Sequence, residues 1–174
     1  PSPITPWRGP VRGFSFVREV QPVLDKFCVG CHSGAERKDG RAIPNFADTG
    51  KGFRKFTKSY IALHPYVRRP GPASDYHVQK PLEWGADTSE LIQMLKKGHH
   101  GVKLDAEAWD RLFTWIDLNV PDHGTWTEHK GNVSKIAERR RAMRAAYGNR
   151  PEDPEQYPVD TPTERPAFIK PTLP

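Results

Sequence analysis

Residues 28 to 32 read Cys28-Val29-Gly30-Cys31-His32, and these two cysteines are the only ones in the 174-residue chain. The pattern C-x-x-C-H is the attachment signature of a c-type haem. Two thiols with two residues between them match the two vinyl groups on one edge of a porphyrin. The histidine that follows at once is carried beneath the iron, where its imidazole can bind axially. Gly30 inside the motif lets the backbone lie close to the ring. With no third cysteine, a disulfide-stapled scaffold and a four-cysteine zinc site are both excluded. A thioredoxin-type C-x-x-C needs a βαβ setting, and a zinc site would have to recruit His32 and a distant histidine. The flanks, an amphipathic helix before and a loop after, favour haem.

Upstream of the motif, Phe16, Val20, Val23, Leu24 and Phe27 fall on one face of a helix running from about Ser15 to Cys28. Pro22 interrupts it, so the expectation is a kink there or a tighter helix that begins at Pro22. Downstream, three more helices are expected. One spans Thr88 to Lys97, opened by Asp87 with Glu90 three residues on and closed by Gly98. The next spans Ala106 to Asn119, capped by Asp105, with Trp109, Leu112, Phe113 and Ile116 on one face. The last, Val133 to Tyr147, is basic and ends at Gly148.

Between the first two helices the stretches Gly34 to Lys58 and Tyr60 to Trp84 show no clean period, and a loop of that length usually wraps something. From Asn149 onward 7 of 26 residues are proline, which predicts an extended arm. The expected fold is therefore mostly α: a class I cytochrome c-like helical core around one covalent haem, a long irregular wrapping loop and a Pro-rich C-terminal arm. The boundaries are an N-terminal extension over 1–13, the haem domain over 14–130, a basic helix over 131–148 and the arm over 149–174. A flat apolar macrocycle supplies the core that four short helices lack; Trp84, Trp109, Trp115, Phe113 and Met94 are candidates for its walls, with plain core packing the preferred reading for each one singly.

His and Met are the usual axial ligands of cytochromes c. Met94 sits among Leu91, Ile92 and Leu95 as a core residue, and Met143 lies in the basic helix. The second ligand is therefore sought among His64, His77, His99, His100, His123 and His129. The turn Gly98-His99-His100-Gly101 is the best place, because glycines on both sides let the backbone bend toward a ring face and it precedes the last core helix. His99 is preferred over His100, with His64 and His77 behind them.

The net charge of +6 favours an anionic partner or cofactor. The excess is densest over 131–148, where Lys135, Arg139, Arg140, Arg141 and Arg144 face a single Glu138. That run either docks an acidic redox partner or is a solvated face, paired with haem propionates or the acidic tail. No aromatic residue is interleaved with it in a stacking pattern, so nucleic acid is not the expected partner. No apolar run is long enough to span a bilayer. The chain begins at Pro1 without a leader, which fits a removed signal or a piece of something longer, and an exported, periplasmic location is expected.

The run Ser15-Phe16-Val17-Arg18-Glu19-Val20-Gln21-Pro22-Val23-Leu24 leads into Cys28. After it come Asp87 to Leu91, Gly98 to Leu104 and Trp115-Ile116-Asp117-Leu118-Asn119. Together these resemble monohaem c domains related to the C-terminal haem domain of the hydrazine synthase alpha subunit, over roughly residues 14 to 148. The resemblance implies a bis-histidine haem that passes electrons, with His32 proximal and a histidine of the turn distal. It does not imply hydrazine synthesis, which in that enzyme belongs to a separate haem. The leading expectation is one-electron transfer within a larger redox complex rather than catalysis by this chain alone. The alternatives are a five-coordinate catalytic haem acting on peroxide or a nitrogen oxide, and a structural docking module.

Overall fold

The computed structural model describes residues 12–34, 42–71, 80–130, 134–151 and 153. These residues form an α fold. Six α-helices follow one another: α1 (Gln21–Phe27), α2 (Lys58–Leu63), α3 (Glu90–Lys97), α4 (Ala106–Asp117), α5 (Trp126–Lys130) and α6 (Ser134–Gly148). Among the described residues no strand forms; the isolated bridge Lys51 to Thr57 is the β feature. No helix among them is long and apolar enough to cross a membrane.

The helix expected over Ser15 to Cys28 is real but changes type at the proline. Phe16–Val20 is a π-turn and α1 begins at Gln21, with Pro22 in its first turn. Pro22 has no N–H to return to the carbonyl of Arg18 four residues earlier. Arg111 of α4 fills the gap, its Nη1 lying 3.4 Å from both Arg18 O and Glu19 O. The same guanidinium reaches the Glu19 carboxylate at 2.7 Å, and Arg12 holds that carboxylate from the other side at 2.5 and 2.8 Å. Glu19 is a buried carboxylate whose cost of burial is offset by two flanking cations. Arg12, assigned above to the N-terminal extension, is thus tied into the domain.

The core is α1 and its π-turn packed against α4, closed by α2 and α3. Phe16, Leu24, Leu63, Ile92, Trp115 and Ile116 are all at most 2% exposed. Phe16 meets Tyr60 edge-on at 5.2 Å and Trp115 at 5.3 Å. Trp115 is fully enclosed in this protein core, the packing reading preferred for it over a haem wall, with its indole N–H donating to Pro121 O at 3.1 Å.

Helix α4 is the element the sequence describes best. Asp105 Oδ1 accepts from Ala108 N at 2.8 Å, the expected N-cap. Its end is a Schellman turn: Val120 N donates to Trp115 O and Asn119 N to Ile116 O, with Asn119 in the left-handed region at φ 64. Helix α3 starts later than expected. Asp87 does not cap it; a 3₁₀ turn over Ala86–Thr88 comes first, and Asp87 pairs with Lys96 at 2.8 Å. Ala86 N donates to Asp117 Oδ1 at 2.8 Å, so the turn's amide is held by the end of α4 rather than by its own side chains.

The expected irregular stretch also contains structure. Thr57 Oγ1 accepts from Tyr60 N at 3.3 Å and starts α2, which runs into a 3₁₀ turn over His64–Tyr66. One basic and one hydroxyl residue at its start hid this short helix from a search for apolar period, although Ser59, Tyr60 and Leu63 are buried. Of the C-terminal arm, residues 149–151 and 153 are described: Arg150 N donates to Arg144 O, and Arg141 pairs with Asp153 at 3.1 Å. The remainder of the arm, like most of the N-terminal extension, lies outside the described residues.

Candidate metal and cofactor site

Cys28 caps the C-terminus of α1, its N–H returning to Leu24 O at 2.8 Å. The next residues coil tightly on it: Cys31 N and His32 N both donate to Cys28 O, at 3.1 and 2.9 Å. The motif is therefore one compact turn with both thiols free, Cys28 half-buried and Cys31 exposed. Burial, and after it the neighbouring Cys31, push the Cys28 thiol up to about 12. That is the reverse of a redox-active C-x-x-C, whose nucleophilic thiol is lowered. A Cβ added at Gly30 meets nothing within 4 Å, so the space over the motif is open.

His32 is framed by a segment that the sequence did not single out. Phe46 N donates to His32 O at 2.8 Å, and the Phe46 ring stacks on the imidazole at 4.7 Å. His32 Nδ1 lies 3.1 Å from Pro44 O. A carbonyl can only accept, so Nδ1 carries the proton and Nε2 keeps its lone pair, which fixes both tautomer and ring orientation. Behind Phe46 stands Gln21, whose amide donates to Phe46 O at 2.9 Å and whose oxygen accepts from Ser59 Oγ at 2.6 Å. Nothing about a backbone carbonyl is visible in a sequence. Phe46, an isolated aromatic in a polar stretch, was the available signal.

Across from His32 stands His99. The two imidazole centroids are 6.0 Å apart with planes 30° from parallel. Gly98 at φ 94 and Gly101 at φ 74 make the turn that carries it, both conformations that a side chain would strain. Val102 N donates to His99 O at 2.9 Å and closes the turn. His99 is half-buried, whereas His100, at φ 47, is exposed and touches the His99 ring edge-on at 4.7 Å. Imidazole nitrogens bind a first-row metal at about 2.0–2.1 Å and lie ~1 Å from their ring centres, so two rings on opposite sides of one ion have centres about 6 Å apart. The observed spacing fits.

Burial lowers the pKa of both rings. For His32 the Pro44 contact opposes it and the charges of His99 and His100 add to it; for His99 the charge of His100 adds to it. Both imidazoles are thus disposed to be neutral and ligand-competent. Among the described residues no group of three or more His, Cys, Asp or Glu could hold a metal ion unaided. Two histidines alone would suffice only for an ion whose remaining ligands come from elsewhere.

The other histidines are elsewhere. His64 Nε2 accepts from Arg69 Nε at 2.8 Å, so its lone pair is occupied. His123 and His129 sit together beside Asp122, and His77 lies outside the described residues. Met94 is half-buried against the core, and Met143 is exposed on α6. Trp109 and Phe113 of α4 stack at 5.4 Å and are half-buried with Met94, Val102 and Leu104, an apolar surface the protein itself leaves partly uncovered. Trp84 lies apart from that set, with Arg68 over its ring at 5.6 Å. No protein-family model matches this chain, and neither a curated protein nor a solved structure matches it.

Proposed function

We propose that this chain is a c-type cytochrome that passes single electrons through one haem bound to Cys28 and Cys31, with His32 and His99 as axial ligands. The observation that carries the reading is the His99 imidazole standing 6.0 Å from that of His32 at the end of C-x-x-C-H. A haem bound there would supply an Fe(III)/Fe(II) couple. The chain's own residues hold and orient the ligands. The Pro44 carbonyl keeps Nδ1 of His32 protonated and Nε2 free, and Phe46 fixes the ring plane. The glycine-flanked turn carries His99 to 6.0 Å from His32, and the half-buried Trp109, Phe113, Met94 and Leu104 would offer a haem apolar contact.

If both imidazoles held the iron of a bound haem, electron transfer would be favoured over the binding of a small ligand at an open position. The resemblance of residues 14–148 to the hydrazine synthase-related monohaem domains points the same way. It extends the proposal to a subunit or domain of a larger periplasmic redox complex. The test is to produce the chain together with a haem-attachment system, then extract it with acidified acetone. Haem that stays with the polypeptide, and is lost from a Cys28→Ala, Cys31→Ala double variant, is the expected result. Haem that leaves with the solvent, or an unmodified polypeptide mass, overturns the proposal.

A further inference from the structure

Three consecutive backbone carbonyls after α4 tie the fold together. Val120 O accepts from the Tyr60 hydroxyl at 2.9 Å, and Pro121 O from the Trp115 indole at 3.1 Å. Asp122 O accepts from Phe16 N at 3.1 Å and Ser15 Oγ at 3.4 Å. One short segment thus binds α2, α4 and the start of the first helix. The side chain at its end is a carboxylate only 4% exposed. Asp122 Oδ2 lies 3.1 Å from His123 Nε2, while the buried Oδ1 has no hydrogen-bond partner among the described residues. His123 in turn lies against His129 of α5 at 5.2 Å, and His129 against Trp126 at 5.7 Å.

We propose that Asp122, His123 and His129 form a proton-operated latch: the proton the cluster takes up neutralises the buried carboxylate and holds α5 and the Ser15–Val20 segment against the end of α4. The physical reason is the bare oxygen. With both imidazoles neutral, Asp122 is a buried anion with one unsatisfied acceptor and no counter-charge, and that state is costly. A proton on the carboxyl, or one shared with the His123 ring 3.1 Å away, removes the imbalance. Burial raises Asp122, opposed by His123 and His129, which is the direction a proton-seeking site requires. Folded, Asp122 holds its proton more tightly than when the segment opens, so opening becomes easier as pH rises from the ordinary carboxyl value through the raised one.

The other ionisable groups around the latch act differently. Tyr60, pushed up to about 12 by burial, stays neutral throughout, with Arg69 close enough to act on it. Glu128 pairs with Arg18 across the same junction and accepts from Gly124 N and Thr125 N. Those contacts hold α5 through Glu128, independently of Asp122.

Amide hydrogen exchange of the intact protein from about pH 4, the ordinary carboxyl range, up to pH 8.5, corrected for intrinsic rates, tests this. Residues 16–20 and 123–130 are expected to open more at high pH, by up to about tenfold per pH unit, relative to amides of α4. Asp122→Asn should abolish that dependence. An unchanged dependence in Asp122→Asn, or none in the parent protein, overturns the latch. Should Asp122→Asn fail to fold, the ring-proton NMR titration of His123 and His129 in the unaltered protein decides: linked, two-step curves support it, and independent single-site curves refute it.

Discussion

The imidazoles of His32 and His99 lie 6.0 Å apart, centre to centre, although one ends the turn after α1 and the other begins the turn after α3. Each is oriented by a different device: a carbonyl and a stacked ring for His32, a pair of left-handed glycines for His99. His100, next in sequence, is turned out to solvent.

That difference predicts the outcome of two single substitutions in the haem-loaded protein. His99→Ala should convert the ferric spectrum from low-spin to high-spin, because one axial bond is lost. His100→Ala should leave it low-spin. Absorption and electron paramagnetic resonance spectra read both, and the reverse pattern would transfer the distal role to His100.

The proposed ligand pair also constrains the reduction potential. Two imidazoles donate to iron without the thioether that raises the potential of Met/His cytochromes, so the midpoint should lie below that class. The positive surface acts the other way, yet exposed charges are screened over about 8 Å at physiological ionic strength. Potentiometric titration at two salt concentrations should find a low value that moves little. A midpoint within the Met/His range would refute the bis-imidazole assignment.

Glu19 is 2% exposed and sits between Arg12 and Arg111. Glu19→Ala removes the buried anion shared by Arg12 and Arg111, leaving Arg111 with the half-exposed Glu107 at 2.6 Å, and such broken buried pairs cost about 3–5 kcal/mol. Urea denaturation should show a clear drop in midpoint with an unchanged slope. A loss below about 1 kcal/mol, the range of surface pairs, would mean that water reaches this junction.

His64 supplies a pH signature. Its pKa is lowered from 6.5, first by burial and then by the charge of Arg69, whose N–H it accepts. Below 6.5 the unfolded chain takes up this proton before the folded one does. Stability is therefore full above about pH 6.5 and declines as pH falls toward the folded pKa. His64→Gln should flatten the part of the stability curve just below pH 6.5. A parallel curve in the variant would assign that slope to other groups.

Much of this was legible in the linear chain, for physical reasons that are local. The haem-attachment reading rests on the C-x-x-C-H spacing alone. Asp105 and the Trp109–Ile116 period delimit α4 because capping and one-sided burial act within a few residues, and Gly98 and Gly101 mark a turn because only glycine tolerates those dihedrals cheaply. Other features came only with tertiary structure. The Asp87 cap failed because Asp117, thirty residues away, held the turn instead. Trp115 went to the core because Phe16 and Tyr60 enclosed it. The Pro44 carbonyl that orients His32 and the convergence of three carbonyls at Val120 to Asp122 depend on contacts between distant segments. Spacing along a chain carries no information about which distant backbone group will be near, so these could be decided only by tertiary packing, above all of the Phe16–Val20 turn against α4.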